Sequence, residues 1–258
     1  AATTYYTVIQ TTLPAASMAE IFFQRYYNWF VKRKDDPAFT DFLFGFATMP
    51  VRAEQSLYDI ADWVRAQPTL TDYLLNTPAA ALTRHYHGAE TPAGLPSDLW
   101  QAWLERLAAH FDEFGHTAYE FDFANPTPAE QPNPQLEAIK LFLTGRAASP
   151  YERQAVARAR REAATQTISG RLGRLRRRYF QKLLTWAQET GAIREDSLAD
   201  MGLGHPVIRR MLVLLGEKLA GSGAIQLAEE IYWLEESEIE ALIAARAAGQ
   251  PLASQQAQ

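Results

Sequence analysis

The chain has 258 residues, of which 47% are hydrophobic and 21% charged, and its formal net charge is −5. A sizeable core is therefore available, and no apolar run approaches the roughly 18 residues that would cross a membrane. The acidic balance disfavours general nucleic-acid binding, and the lack of cysteine excludes disulfides, thiolate metal sites and cysteine nucleophiles. We therefore expect a soluble, cytoplasmic globular protein that binds neither nucleic acid nor membranes.

Hydrophobic residues recur at helical spacing throughout the first half of the chain, and proline, glycine or aspartate interrupts the pattern between segments. In one such segment Leu57, Ile60 and Val64 fall on a single face, and Pro68 follows its end. In chain order, the predicted helices cover about residues 17–34, 50–66, 70–75, 78–86 and 97–115.

Four prolines interrupt the middle of the chain: Pro126, Pro128, Pro132 and Pro134. Each fixes its own φ angle, lacks an N–H donor and biases the preceding residue away from the helix. The sequence therefore predicts an irregular segment over residues 123–134, which we call the proline crossing. Long irregular connections are often functional, and the polar residues His116, Glu120 and Asp122 stand just before this one.

Longer helices are predicted after the proline crossing. The longest covers about residues 151–189, and the others cover about residues 136–143, 207–219 and 237–248. Within the longest helix we expect one buried apolar stripe and, beside it, a parallel polar stripe of basic residues. The apolar stripe consists of Ile168, Leu172, Leu175, Tyr179, Leu183 and Trp186, and the basic stripe of Arg171, Arg174, Arg178 and Lys182.

The whole pattern predicts an all-α fold of antiparallel and crossing helices with one long proline-rich loop. We expect a single helical domain over residues 1–258, within which residues 1–116 and 134–258 could form sub-lobes. The chain starts with AATTYYTVIQ, without an initiator methionine or a targeting signal, and ends in the polar PLASQQAQ. We therefore expect it to be a piece of a longer multidomain protein.

Aromatic residues surround the first predicted helix so fully that one face cannot bury them all. With the aromatic segment that follows, they could line a wide apolar pocket for a planar acceptor molecule, although a plain aromatic core explains the same pattern. Polar groups at the start of the next helix and before the proline crossing could orient such a ligand. The candidate acceptor-binding residues are Phe22, Tyr26, Trp29, Phe46, Met49, Arg52, Glu54, His116 and Glu120.

The basic stripe allows several interpretations. Arg171, Arg174 and Arg178 could contact a nucleotide phosphate, an anionic acceptor or a neighbouring acidic domain, because arginine favours bidentate contact with such groups. A solvated helix face is nevertheless the default interpretation, because helices commonly carry such stripes.

One metal-binding pattern can be weighed. Glu113 and His116 match the Glu-x-x-His pair of di-iron bundles, but no second pair follows and Gly115 interrupts this one. We expect no metal site in the chain, and His116 is then predicted to hydrogen-bond a helix end.

Five phrases carry a resemblance to a known family. They are RAEQSLYDIADW (residues 52–63), FGHTAYEFDFANPTPAEQP (residues 114–132), SPYERQ (residues 149–154), GLGHPVIRRMLVLLGEKL (residues 202–219) and IYWLEESEIEAL (residues 231–242). The chain resembles the helical middle region of phosphoenolpyruvate-utilising enzymes, in particular phosphoenolpyruvate synthase-like proteins and rifampin phosphotransferases.

The resemblance implies a phosphotransferase of the dikinase type. In that family an ATP-grasp domain uses ATP and Mg²⁺ to phosphorylate a histidine on a mobile domain, and the phosphohistidine then visits the acceptor. This chain contains neither the glycine-rich ATP-grasp loop nor the phosphohistidine segment. We therefore expect it to be the acceptor-binding or connecting domain, with no cofactor and no catalytic residue of its own, and inactive alone.

Two other functions remain open. The chain could be a non-catalytic helical interaction module, with the proline crossing and the basic stripe as docking surfaces for other domains or partners. A free-standing metal-dependent helical enzyme is a weaker third reading, because it needs a metal site that the sequence does not supply.

Overall fold

The computed structural model describes residues 13–14, 17–88, 90–117 and 122–247. Within these ranges the chain is helical or irregular and contains no strand, so the predicted all-α class is confirmed. No helix in the same ranges combines the length and the apolar character needed to cross a membrane.

The largest hydrophobic core joins five helices from the first half and the middle of the chain. Leu57, Ile60 and Val64 lie on the buried face of the first of these helices, as predicted, in a core that also contains Trp103 and Ile139. All five begin and end within a few residues of the predicted bounds. They are α2 (Met49–Arg65), α3 (Pro68–Asn76), α4 (Ala79–Gly88), α5 (Ser97–Phe114) and α6 (Asn133–Leu143).

A second core is mainly aromatic and joins the N-terminal helical segment to the two long helices after the proline crossing. Phe23, Tyr27, Phe42 and Phe180 are all fully buried, and the ring centroids of Tyr27 and Phe42 are 4.9 Å apart in an edge-to-face contact. The elements that supply this core are α1 (residues 17–26), the π-helical turn Tyr27–Val31, the 3₁₀ helix Phe39–Phe42, α7 (Pro150–Arg171) and α8 (Arg174–Asp200).

The predicted single helix over residues 151–189 is wrong. The backbone is extended at Leu172 and Gly173, where ψ is 136° and 157°, and the chain leaves α7 and enters α8 there. Because the break changes the helical phase, Phe180, Leu184 and Ala187 form the buried face of α8. The predicted buried stripe is therefore correct at Ile168 and Leu172, partly correct at Leu183, which packs half-buried against the second core, and wrong at the other three positions. Leu175, Tyr179 and Trp186 are exposed by 84%, 53% and 40%.

A third, smaller core lies at the C-terminal end of the described residues. It joins α9 (His205–Gly221), the 3₁₀ helix Ala228–Trp233 and α10 (Glu236–Ala247). At Gly216 the two backbones approach so closely that an added Cβ would overlap the carbonyl oxygen of Ala228. Glycine at this position therefore lets α9 pack directly on the 3₁₀ helix.

The proline crossing is irregular from residue 122 to residue 132, as predicted, and Pro134 lies in the first turn of α6. Arg209 of α9 fixes it from outside: its guanidinium donates to the Phe123 carbonyl, to Glu130 at 2.8 Å and to the Tyr232 hydroxyl at 3.0 Å. Thr127 is buried, and its backbone N–H donates to the same Glu130 carboxylate at 2.7 Å. The crossing is thus clamped between the first core and the third.

The cores do not follow the order of the chain. The helix α6, which follows the proline crossing, packs with α2 to α5, and α1 packs with α7 and α8. The division into sub-lobes at 1–116 and 134–258 stays a prediction, but the hydrophobic clusters draw on both sides of that division.

Replacing Gly216 by alanine should destabilise the protein, because the new methyl group overlaps the backbone of the neighbouring 3₁₀ helix. We expect a loss of about 1–3 kcal/mol in the free energy of unfolding, measured by urea titration with circular dichroism. Gly170→Ala in α7 is the matched control, since nothing lies within 4 Å of its added Cβ. It should stabilise the protein by up to about 1 kcal/mol. Equal stability of the two variants would contradict the close packing of α9.

Candidate functional site

Two hollows flank the start of α2. Pro50 and Val51 line one of them, and Arg52, the next residue, lines the other. The first turn of α2 is fixed to α8, because the backbone N–H of Met49 donates to the Asp196 carboxylate at 2.5 Å. Any ligand in either hollow would therefore contact the same helix end.

The first hollow, which we call the apolar cavity, has a volume of about 340 Å³ and lies between α1, the segment 40–51 and α8. Phe44, Phe46 and Val51 form part of its wall. Gly191 of α8, which is distant in sequence, also lines the cavity. Its polar edge consists of Glu20, Arg194 and Glu195, joined by ion pairs of 2.8 and 3.0 Å. The cavity thus combines aromatic walls with a small number of charged groups, as small-molecule sites usually do.

The aromatic wall is held in place by α7. The Arg161 guanidinium lies 3.9 Å from the centre of the Phe46 ring and donates to the Phe44 carbonyl at 2.9 Å. Between them Gly45 has a φ of +90°, and an added Cβ would overlap the backbone of Arg158. The loop can therefore lie flat against α7 only with glycine at this position.

The second hollow, which we call the polar cleft, has a volume of about 410 Å³ and is lined by α2, α5 and Tyr151 of α7. At its base His110 is only 4% exposed, and its Nδ1 lies 3.0 Å from the Ser56 hydroxyl oxygen. On the rim the Tyr151 hydroxyl donates to the Asp59 carboxylate at 2.8 Å. Three helices thus direct polar groups into one open cleft.

Burial determines the charge of the histidine in this cleft. Desolvation lowers the pKa of His110 from 6.5 to about 4, so the imidazole is neutral at pH 7. A neutral imidazole has one N–H donor and one acceptor nitrogen, and the hydrogen bond with Ser56 occupies one of the two.

The other predicted aromatic residues lie outside both hollows. Phe22 stacks on Trp186 with ring centroids 6.1 Å apart, and Tyr26 contacts Tyr179 edge to face at 4.8 Å. Trp29, in the π-helical turn that continues α1, is 72% exposed. We call the side chains on this side of α1, the π-helical turn and α8 the aromatic face, in which Tyr26 is half-buried and the others are exposed: Phe22, Tyr26, Trp29, Phe30, Leu175, Tyr179 and Trp186.

The predicted acceptor-binding residues are therefore divided among several places. Phe46 lines the apolar cavity and Arg52 the polar cleft, and Met49 begins the helix between them. Glu54 forms an ion pair with Arg153 of α7. His116 follows the end of α5, where its Nε2 is buried with no hydrogen-bond partner among the described residues. Glu120 lies outside the described residues.

The three candidate arginines also differ. Arg171 belongs to the interior, since its guanidinium bonds both carboxylate oxygens of Asp36 and the Val31 carbonyl. Arg174 and Arg178 are exposed on α8 beside the aromatic face, with no ion pair to any described residue. The tertiary structure thus places two exposed guanidinium groups next to exposed aromatic rings. Within the described ranges, no three His, Asp or Glu side chains converge to hold a metal ion.

Sequence reasoning found Arg52 but missed other polar residues of the polar cleft, namely Ser56, Asp59, Arg106, His110 and Tyr151. A signal was present for His110, because it lies on the apolar stripe of α5 between Trp103, Leu107 and Phe114. A titratable residue at a buried helical position needs a hydrogen-bond partner. The position of His110 on an apolar stripe therefore indicated a second polar group nearby. The contribution of Tyr151 from α7 had no such local signal.

Comparison with known proteins gives one family match. The model of the rifampicin phosphotransferase fourth domain matches residues 9–195. Both hollows lie entirely inside this range, whereas α9, the second 3₁₀ helix and α10 lie beyond it. No curated protein matches the chain.

The burial of His110 should make stability fall with acidification. Below pH 6.5 His110 becomes protonated in the unfolded chain, whereas in the folded protein it stays neutral until about pH 4. Folding should therefore lose about 1.4 kcal/mol per pH unit in this window, or about 3 kcal/mol in total. The measurement is urea unfolding between pH 7 and pH 4 on the native protein and on His110→Gln, whose curve should be flatter by that amount. Parallel curves would show that His110 does not remain neutral in the folded state.

Proposed function

Because the chain belongs to the family of rifampicin phosphotransferase fourth domains, we propose that it is the acceptor-binding domain of an enzyme of this kind. The family match confirms the resemblance that was inferred from the sequence. In the enzyme that we propose, other domains of the same polypeptide supply the ATP-grasp fold and the phosphohistidine, with ATP and Mg²⁺. In that enzyme this domain binds and positions the acceptor. It contributes no residue that transfers phosphate.

The apolar cavity supports this proposal most directly. It is bounded by aromatic side chains and has a charged edge, which suits a ring system carrying a polar substituent. Arg161 and Gly45 fix its wall before any ligand arrives, and a preorganised site loses less entropy on binding.

The volume of the cavity sets a limit on the acceptor. About 340 Å³ is near the lower end of the range of about 300–1,000 Å³ for small-molecule sites, so the cavity suits one or two fused rings rather than a large macrocycle. A larger acceptor would insert only one of its ring systems. The hydroxyl that receives phosphate would then remain outside, where a mobile phosphohistidine domain could reach it.

A second function is favoured by the aromatic face. Trp29 and Leu175 are exposed by 72% and 84%, and large contiguous exposed apolar patches usually mark interfaces. Arg174 and Arg178 beside them would complement an acidic surface, and aromatic and arginine side chains dominate interface energetics. The alternative is therefore a connecting module that docks other domains on this face.

The acceptor proposal can be tested by filling the apolar cavity. Gly191 lines it, and nothing lies within 4 Å of a Cβ added there, so Gly191→Leu should fold and occupy the space. We expect rifampicin or the two-ring probe 2-naphthol to bind the native chain in calorimetric titrations, and the variant to bind at least tenfold more weakly.

Gly170→Leu is the matched control, because its Cβ also meets open space but Gly170 lies on α7 outside the cavity. It should bind like the native chain. Failure of both probes to bind the native chain would contradict the acceptor proposal, and equal binding to Gly191→Leu would place the ligand elsewhere.

The docking alternative predicts a different response. In the double variant Trp29→Ser and Leu175→Ser the melting temperature of the isolated chain should be nearly unchanged, since both side chains project into solvent. In the longer polypeptide, native α8 amides near residues 174–186 should exchange hydrogen more slowly than in the isolated chain, and the double variant should lose that protection. Identical exchange in the isolated chain and the longer polypeptide would rule out docking on this face.

A further inference from the structure

The polar cleft carries chemistry that the proposed acceptor cavity does not use. Its charged residues are two arginines and two carboxylates, Arg52 and Arg106 with Asp59 and Glu113. Their formal charges cancel, so the cleft has no net attraction for a strong anion or a strong cation. Instead, the arginines offer hydrogen-bond donors and the two carboxylates offer hydrogen-bond acceptors.

The base of the cleft adds neutral hydrogen-bonding groups. The Ser56 hydroxyl and the His110 imidazole form a pair at 3.0 Å, and Gln55 adds a carboxamide whose Nε2 donates to Gln154 at 2.7 Å. Hydroxyl, imidazole and carboxamide groups each donate and accept. A ligand hydroxyl, which also does both, matches such groups better than a carboxylate or an ammonium does.

The cleft also has an apolar side. Ile60, Ala109 and Phe114 form part of its lining, and the Tyr151 ring contacts the Tyr58 ring edge to face at 6.0 Å. A purely apolar ligand would desolvate four charged groups without replacing their hydrogen bonds, which is unfavourable. A ligand with polar edges and C–H faces avoids this cost.

We propose that the polar cleft binds a neutral polyhydroxylated ring compound, such as a sugar or a cyclitol. Its hydroxyls exchange hydrogen bonds with the Ser56 and His110 pair and with the charged rim, and its C–H face lies on the apolar side. The site is separate from the apolar cavity, since only neighbouring residues at the start of α2 link the two linings. The inference therefore does not depend on the proposed function.

The two arginines are already oriented within the protein, which fits a site for neutral groups. Arg106 stacks on Trp63 with the guanidinium carbon 4.0 Å from the ring centre and donates to the Ala102 carbonyl at 3.0 Å. Arg52 donates to the Ala47 carbonyl at 2.8 Å. Each guanidinium keeps only part of its donor set for a ligand, which suits single hydroxyls better than bidentate capture of phosphate.

The test uses the histidine as a reporter. The protein has five histidines, so the ring C–H signals of His110 can be assigned in a carbon–proton correlation spectrum by comparison with His110→Gln. The neutral probes are maltose and myo-inositol, and the anionic comparisons are glucose 6-phosphate and inorganic phosphate. We expect at least one neutral probe to shift the His110 signals saturably at millimolar concentration, with glucose 6-phosphate binding no more tightly than maltose.

Two variants locate the binding. Ser56→Ala removes the hydroxyl beside His110, and Glu113→Gln changes an exposed acceptor on the rim without touching the core. Each should weaken the neutral probe at least threefold. Glu105→Gln, also exposed on α5 but outside the cleft, should bind like the native protein.

Three results would overturn the inference. They are the absence of any saturable shift with either neutral probe, tighter binding of the phosphate-bearing probes, or shifts that are unchanged in both cleft variants. Because Glu113→Gln lies on an exposed surface, its result stands even where Ser56→Ala lowers the stability of the fold.

Discussion

An ion pair between Arg171 and Asp36 ties the end of α7 to the segment that follows the first helical elements, beside the aromatic second core. Arg171 ends α7 and bonds both carboxylate oxygens of Asp36, which follows the π-helical turn of the first helical segment. The pair is largely buried, and the guanidinium keeps the pKa of Asp36 below its usual value. The backbone is extended at Leu172 and Gly173, directly after this contact, and α8 begins at Arg174. Loss of either partner would leave a poorly solvated charge at that turn.

The start of α2 is the second organising feature, because it forms a boundary between two hollows of opposite character. On one side Phe44, Phe46 and Val51 make an apolar wall, and on the other Arg52 belongs to a cleft of balanced charge. Asp196 fixes the backbone between them by accepting from the Met49 N–H. A small displacement of this helix end would alter the shape of both hollows.

The aromatic residues of α1 and the π-helical turn surround the helix on every side, and packing buries some of them and leaves others exposed. Phe23 and Tyr27 point into the second core, whereas Phe22, Trp29 and Phe30 remain exposed. A helix can bury only one face against its neighbours, and the exposed rings are joined by Tyr179 and Trp186 of α8. The resulting surface also carries the exposed Arg174 and Arg178, which form no ion pair with a residue that the structure describes.

The sequence by itself determined the helical class, the five helices of the first core and the irregular proline crossing. Each of these follows from local rules: apolar spacing selects a face such as that of Leu57, Ile60 and Val64, and proline excludes helix wherever it stands. The tertiary structure decided the break at Leu172 and Gly173, the inward role of Arg171, and the separation of Phe46 from Phe22 and Trp29. It alone brought Ser56, His110 and Tyr151 to one cleft. Local periodicity indicates which face of a helix is apolar. The partners of that face depend on contacts such as those between residues 54 and 150 positions apart, which the packing of all helices selects together.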